Sequence, residues 1–388
     1  MADRPIALSA ATLVTLMAVA CSDPAPIQPD TSADMVPTGI FDPLSMPATP
    51  TLSPADFKLA ETCAPCHVDH VRQWRLSRHA FAMVDPVFRA LVALRSEQRD
   101  GKEDAFCTQC HSPIGNRGGE LVPGFSFADL SPVVLEGVTC ETCHKATEVV
   151  RSHNAGLRLQ ADGPIRGPLA DPMASTEHKN APSEFIESSR FCGACHDLVE
   201  LNGLPLERPY AEWQSSPAVA LNQTCQSCHM PASTGPVVKG GPDRTRHSHL
   251  FVGIEPPVGG GVVVDASGAA EVEAAITKLL EGAAGLAVAV TDSVAAGGQL
   301  DVHVTATNHI TGHSLPTGST FIRQLWLHLR VVDAAGKVHY ETGDLDANGD
   351  LRDHFSALDP YGDEDLVTLG SRLIDANGQP TVLPWQAA

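Results

Sequence analysis

The apolar positions along this chain change their period from segment to segment. Ile6 to Ala20 is an apolar run behind Asp3 and Arg4, too short to span a bilayer and placed where the hydrophobic part of an export signal stands. Residues 22–55 give way to Pro, Ser, Thr and Asp, with Pro24, Pro26, Pro29, Pro37, Pro43, Pro47, Pro50 and Pro54 among them. Such a stretch cannot bury itself and reads as an extended tether. Further on, Val272, Ala275, Ile276, Leu279 and Leu280 recur at helical spacing and predict a short amphipathic helix. The period then falls to two: Leu300, Val302, Val304 and Ala306 alternate with polar residues, as do Leu325, Leu327, Leu329 and Val331. Asp333 to Gly336 reads as a hairpin turn before Lys337 to Tyr340, so residues 285–388 are expected to form a β-sandwich. No closing strand is evident before Ala388, which leaves room for an incomplete sandwich.

Composition adds a constraint. The 388 residues suffice for two domains, yet only 5% are aromatic, while Gly and Pro number 32 and 30. This is a thin supply for a conventional core. The formal charge of −20 repels nucleic acid and favours basic partners or a well-solvated surface.

The candidate chemistry lies in five copies of Cys-x-x-Cys-His: Cys63, Cys66 and His67; Cys107, Cys110 and His111; Cys140, Cys143 and His144; Cys192, Cys195 and His196; Cys225, Cys228 and His229. This is the attachment pattern of c-type haem, with two thioether bonds to the porphyrin and the histidine as an axial iron ligand. A disulfide framework gives no reason for a histidine after every pair, and five half-sites do not pair off into four-ligand zinc sites. Five covalent haems would also supply the missing apolar mass, so residues 56–255 are read as a loop-rich, mainly helical pentahaem domain. The same interval separates Cys107 from Cys140 and Cys192 from Cys225, with Phe before the first member and Thr before the second, which suggests a duplicated two-haem unit. Of eleven cysteines, only Cys21 is left over. It follows Ala18-Val19-Ala20, so a signal peptide of lipoprotein type over 1–20 and a lipid on Cys21 are expected. The chain is then exported to the periplasm or cell surface, anchored to the outer membrane, with 21–55 as the tether.

Each iron has a second axial position. His79, His153 and His178 flank the motifs; one of His247 and His249 serves after the fifth, with His249 taken as the ligand. Twelve residues of straight helix from His67 would carry His79 about 18 Å away, to a neighbouring haem. His313, in a Gly- and Pro-bounded loop between strands, is the fifth candidate, presented across a domain interface; His70 is next in line. His303 and His328 fall on polar strand faces.

The spans Cys63 to Ala82, Gly137 to Lys145 and Cys225 to Pro231 resemble the multihaem cytochromes c related to the tetrahaem electron acceptor of hydroxylamine oxidoreductase. Gly312 to Gly318, followed by Trp326-Leu327 and Asp333 to Gly336, is similar to a C-terminal β domain of exported members. The resemblance implies bis-histidine ligation, closely packed haems and electron transfer between redox proteins, other cytochromes among them. The five-motif count departs from the tetrahaem member. The expected fold is α+β and multidomain, with 256–284 as linker and helix. The expected role is an electron carrier; the alternative is an oxidoreductase acting on a small nitrogen or sulfur compound at one open haem. Asp344, Asp346, Asn348, Gly349 and Asp350 imitate the start of a calcium loop, but Phe355 stands where the closing Glu belongs, so an Asx-rich turn is the stronger reading.

Overall fold

The computed structural model describes residues 14–16, 52–256, 264–295 and 297–388. Cys21, nearly all of the expected export signal and most of the tether lie outside the described residues; the backbone of Val14–Leu16 runs parallel to Leu300–Val302. No helix among the described residues is long and apolar enough to cross a membrane.

The fold is α+β and divides into two compact units. Of the described residues, those between 52 and 283 together with 310–318 form the motif-bearing unit, and 14–16 with those of 284–309 and 319–388 form the other. The motif-bearing unit is a succession of short helices. Several of them, including Pro86–Gln98, Pro113–Arg117, Pro132–Leu135, Pro209–Gln214 and Pro217–Ala220, begin with proline. There the missing N–H costs nothing and the fixed φ suits the first turn, which accounts for part of the proline content. Asp85 caps the longest of these five, its Oδ1 accepting from the Phe88 amide at 2.9 Å.

Met83, Ile114, Leu121 and Val134 are fully buried in the core of this unit. Burying each such side chain stabilises by about 1.5–3 kcal/mol. Gly115 permits the packing, since a Cβ there would meet Val134 Cγ1 at 2.5 Å. The predicted amphipathic helix is Ala266–Glu281, capped by Asp265, and Glu271 ties it to helix Val68–Arg75 through Arg72 at 2.5 and 3.1 Å. It belongs to the motif-bearing unit.

The other unit is built of strands. Ala284–Val290 and Leu300–Asn308 form its longest antiparallel pair, and Leu329–Val332 pairs with Val338–Thr342 across the expected turn, where Gly336 has φ +81°. The alternating run from Leu325 to Val331 divides into Leu325–Leu327 and Leu329–Val332, with different partners. The break falls at His328, where the Gly343 backbone packs so closely that a Cβ there would lie 2.9 Å from the His328 Cα. Apart from the parallel contact of Val14–Leu16, the described strands here associate two by two.

Candidate haem sites

A helical turn brings positions i, i+3 and i+4 to one face, so each motif presents its two thiols and its imidazole together. In helix Cys140–His144 the turn is started by Thr139, whose amide donates to Thr142 Oγ1 at 3.2 Å in a capping box; Thr224 and Ser227 repeat the arrangement ahead of Cys225–His229. The duplicated Thr seen in the sequence is thus an N-cap. In the first and fourth motifs the His67 and His196 amides donate to the Cys63 and Cys192 carbonyls at 2.8 and 3.0 Å, closing the same turn.

Four motif imidazoles face a second imidazole at nearly constant spacing. His67 and His178 have ring centres 6.3 Å apart, His79 and His196 6.1 Å, His144 and His249 6.4 Å, and His229 and His313 6.2 Å. A metal–imidazole bond of about 2 Å on each side, together with the half-width of each ring, spans this distance. His70 also lies 6.1 Å from His67, but edge-on and from the same helix, and its ring closes to 4.8 Å on His249, too near for a metal between them.

The outer nitrogens agree with a ligand role. Nδ1 of His67, His111, His144 and His229 points at the backbone carbonyls of Val237, Ala82, Arg166 and Val252, at 2.8, 2.7, 2.5 and 2.6 Å. Nδ1 of His249 and His313 faces the carbonyls of His247 and Ser314 at 2.9 Å. A carbonyl can only accept, so the proton sits on Nδ1 and Nε2 keeps its lone pair for iron. The Nδ1 atoms of His79 and His178 are buried without a hydrogen-bond partner, so in these two rings no carbonyl fixes the tautomer. Burial lowers the proton affinity of six of the imidazoles, to about 4 for His111 and about 3 for His79 and His249, and downward for His144, His196 and His229. They are neutral at ordinary pH, as ligands must be. The residues present therefore fit c-type haem.

Thiols of different motifs are also brought together. Cys63 hydrogen-bonds Cys140, Cys110 hydrogen-bonds Cys195, and Cys192 hydrogen-bonds Cys225. The Cys140 contact pulls Cys63 down to about 7, and the Cys192 contact does the same for Cys225, while burial pushes Cys143 up to about 12.

Two of the expected ligands, His153 and His313, need separate description. His153 sits at the end of the hairpin formed by Ala146–Val149 and Leu157–Leu159, where its carbonyl accepts from Arg151 Nε at 3.1 Å. The ring against His111 is that of Phe88, 3.8 Å away and within 5° of parallel; among the described residues no second imidazole stands at the iron-spanning distance from His111. Secondly, the loop with His313 belongs to the motif-bearing unit and is not presented by the β unit. Glu212 Oε2 accepts from Ser314 N at 2.9 Å and Thr317 Oγ1 at 2.8 Å, Thr311 Oγ1 donates to Gln223 Oε1 at 2.7 Å, and the Ala218 amide donates to the Thr311 carbonyl at 3.1 Å.

Sequence reasoning passed over several positioning residues. Gly137, at φ +75°, packs on the His79 carbonyl, which accepts from Val138 N at 3.1 Å. Asp197, directly after the fourth motif, accepts from the amides of Tyr210 and Ala211 at the start of helix Pro209–Gln214; burial pushes its carboxyl up to about 7. Its place beside the motif was the only signal. The calcium-like loop is an Asx turn: Asp346 Oδ1 accepts from Asn348 N and Asp350 N, Oδ2 from Ser356 Oγ, and Asp344 pairs with Arg352. No metal-holding group of three or more His, Cys, Asp or Glu is found among the described residues.

Residues 62–145 match the family described as Cytochrome c554 and c-prime. A solved structure, a penta-heme cytochrome c552 from Thermochromatium tepidum, superposes with a TM-score of 0.59 at 21% identity, over 86% of this chain and 83% of that one. The chain is similar to multihaem c-type cytochromes in sequence over its first three motifs and in fold over most of its length. A comparison with curated proteins gives no match.

Proposed function

We propose that this chain is a pentahaem cytochrome c that carries electrons at the cell envelope. The observation that carries the reading is the set of four imidazole pairs, each containing one motif histidine and each spaced for one iron. Bound haem would supply one-electron chemistry; the chain supplies attachment, axial ligands and order. Cys63, Cys66 and His67 with His178 hold the first haem, Cys140, Cys143 and His144 with His249 the third, Cys192, Cys195 and His196 with His79 the fourth, and Cys225, Cys228 and His229 with His313 the fifth. The thiol contacts give the sequence of neighbours. The first motif adjoins the third through Cys63 and Cys140, and the fourth adjoins the fifth through Cys192 and Cys225. Cys143 is an electrostatic neighbour of Cys195, linking third to fourth, and Cys110 joins the second motif to the fourth. Electrons then run first, third, fourth, fifth, with the second as a branch.

Export follows from the apolar run Ile6 to Ala20, and outer-membrane anchoring from lipidation of Cys21. The charge of −20 favours basic redox partners, other cytochromes included. Intact mass of the matured protein tests the count: five haem masses are expected, and four or fewer refute it. Cys21→Ser should release a haem-loaded soluble protein if the lipid is the anchor.

A second reading is favoured by His111, whose only ring contact among the described residues is Phe88, stacked at 3.8 Å, with no imidazole at the iron-spanning distance. Its iron would keep an open position at which a small nitrogen or sulfur compound could bind and react. Electron paramagnetic resonance of the oxidised protein separates the two: four low-spin irons and one high-spin iron that binds cyanide support the open site, and five low-spin irons exclude it.

A further inference from the structure

Arg95, on helix Pro86–Gln98, is 2% exposed, and its guanidinium is clamped between two carboxylates. Nη1 and Nη2 donate to Glu200 at 3.1 and 2.6 Å in a two-pronged pair that is itself buried, and Nε donates to Glu103 at 2.9 Å. Arg99 lies 3.7 Å from Glu103 but is 40% exposed, so solvent screens it. The Arg95 guanidinium covers the Phe106 ring at 4.5 Å and hydrogen-bonds the sulfur of the next residue, Cys107. An ion cluster of this kind is costly to bury, and apolar residues of the same volume often serve stability as well. Its position against the second motif gives it another use.

We propose that Arg95 and Glu200 set the reduction potential of the haem attached at Cys107. This rests on the reading of Cys107, Cys110 and His111 as a haem site. An oxidised haem carries one more positive charge than a reduced one. A buried cation beside the macrocycle edge therefore favours the reduced form and raises the potential, and a buried carboxylate does the opposite. Glu200 lies in the turn between Leu198–Val199 and Pro205–Glu207, just after the fourth motif, so the clamp adjusts the second haem from the segment that leaves the fourth. The cation is the member that touches the sulfur, and the carboxylates moderate it.

The test is a spectroelectrochemical titration of the holoprotein, with intact mass measured on the same samples. Arg95→Gln should lower one midpoint potential and Glu200→Gln should raise the same one, while the double variant returns towards wild type and Arg95→Lys shifts least. Glu103→Gln, at the solvent edge of the cluster, provides a variant that keeps the buried pair, and should raise the potential by less. A clamp with only a structural role would leave the potential in place or move it the same way in both single variants, and either result overturns the proposal. If the mass shows no haem at the second motif in the wild-type protein, the site reading itself fails, a result distinct from an immobile potential.

Discussion

His313 faces His229 with ring centres 6.2 Å apart and planes 21° from parallel, although the β-hairpin Ala284–Val290 with Leu300–Asn308 lies between them in sequence. The loop is held by Glu212, whose Oε2 accepts one hydrogen bond from a backbone amide and one from a hydroxyl of the loop. His313→Ala should convert one iron from low-spin to high-spin or water-ligated and raise its potential, with the other spectra unchanged. Glu212→Ala should give a partial version of the same effect, because it frees the loop without removing the ligand. Five unchanged signals in the His313 variant would make it a turn residue only.

The angle between the two imidazole planes sets the shape of a low-spin ferric signal. Three pairs are near-parallel, at 24°, 13° and 21°, and His79 with His196 is twisted to 54°. The oxidised protein should therefore show several rhombic signals and one distinctly more anisotropic signal, which disappears in His79→Ala. Loss of a rhombic signal in that variant would break the assignment of His79 to the fourth motif.

His153→Ala should leave every low-spin signal and the covalent haem count intact. His153 sits at the end of the hairpin formed by Ala146–Val149 and Leu157–Leu159, and the imidazole pairs described are completed by His178, His79, His249 and His313. Disappearance of a low-spin species in the variant would restore it as a ligand.

The attachment residues were legible because Cys-x-x-Cys-His is a local pattern, and one helical turn is enough to assemble it. The opposing ligands were legible only as candidates. His249 meets the third motif and His178 the first, pairings that depend on which segments pack together and leave no trace in spacing. His153 stood nearest in sequence to the third motif, yet the ring that faces His144 is that of His249. The helix Ala266–Glu281 and the turn at Asp333 to Gly336 followed from periodicity. The return of Ile310–Gly318 to the motif-bearing unit did not, because polar contacts with Glu212 and Gln223 carry no periodic signal.

Asp85→Ala should destabilise the protein by about 1 kcal/mol at neutral pH through loss of the cap on Pro86–Gln98. Burial alone would raise the Asp85 carboxyl, but the Phe88 amide and the Arg78 guanidinium outweigh it, and its proton affinity falls below the ordinary aspartate value. A depressed folded-state pKa gives stability that is present above the unfolded value and is lost as pH falls through the folded one. The gap between wild type and variant in a denaturant titration should then narrow below about pH 4. A gap independent of pH would assign the effect to packing.

Gly137→Ala should be harmful at one iron in particular. A Cβ there would lie 2.8 Å from the His79 carbonyl oxygen and 3.1 Å from the Ala82 Cβ, and φ is +75°, where an L side chain is strained. The strain alone costs on the order of 1–3 kcal/mol. The same carbonyl accepts from Val138 N at 3.1 Å, and the Val138 carbonyl accepts from Trp74 Nε1 at 2.8 Å, so the displaced backbone is the one that aims His79 at His196. A lowered Tm should therefore accompany a change confined to the anisotropic low-spin signal. Equal disturbance of all signals would mean that Gly137 supports the unit as a whole and not the His79 ligand.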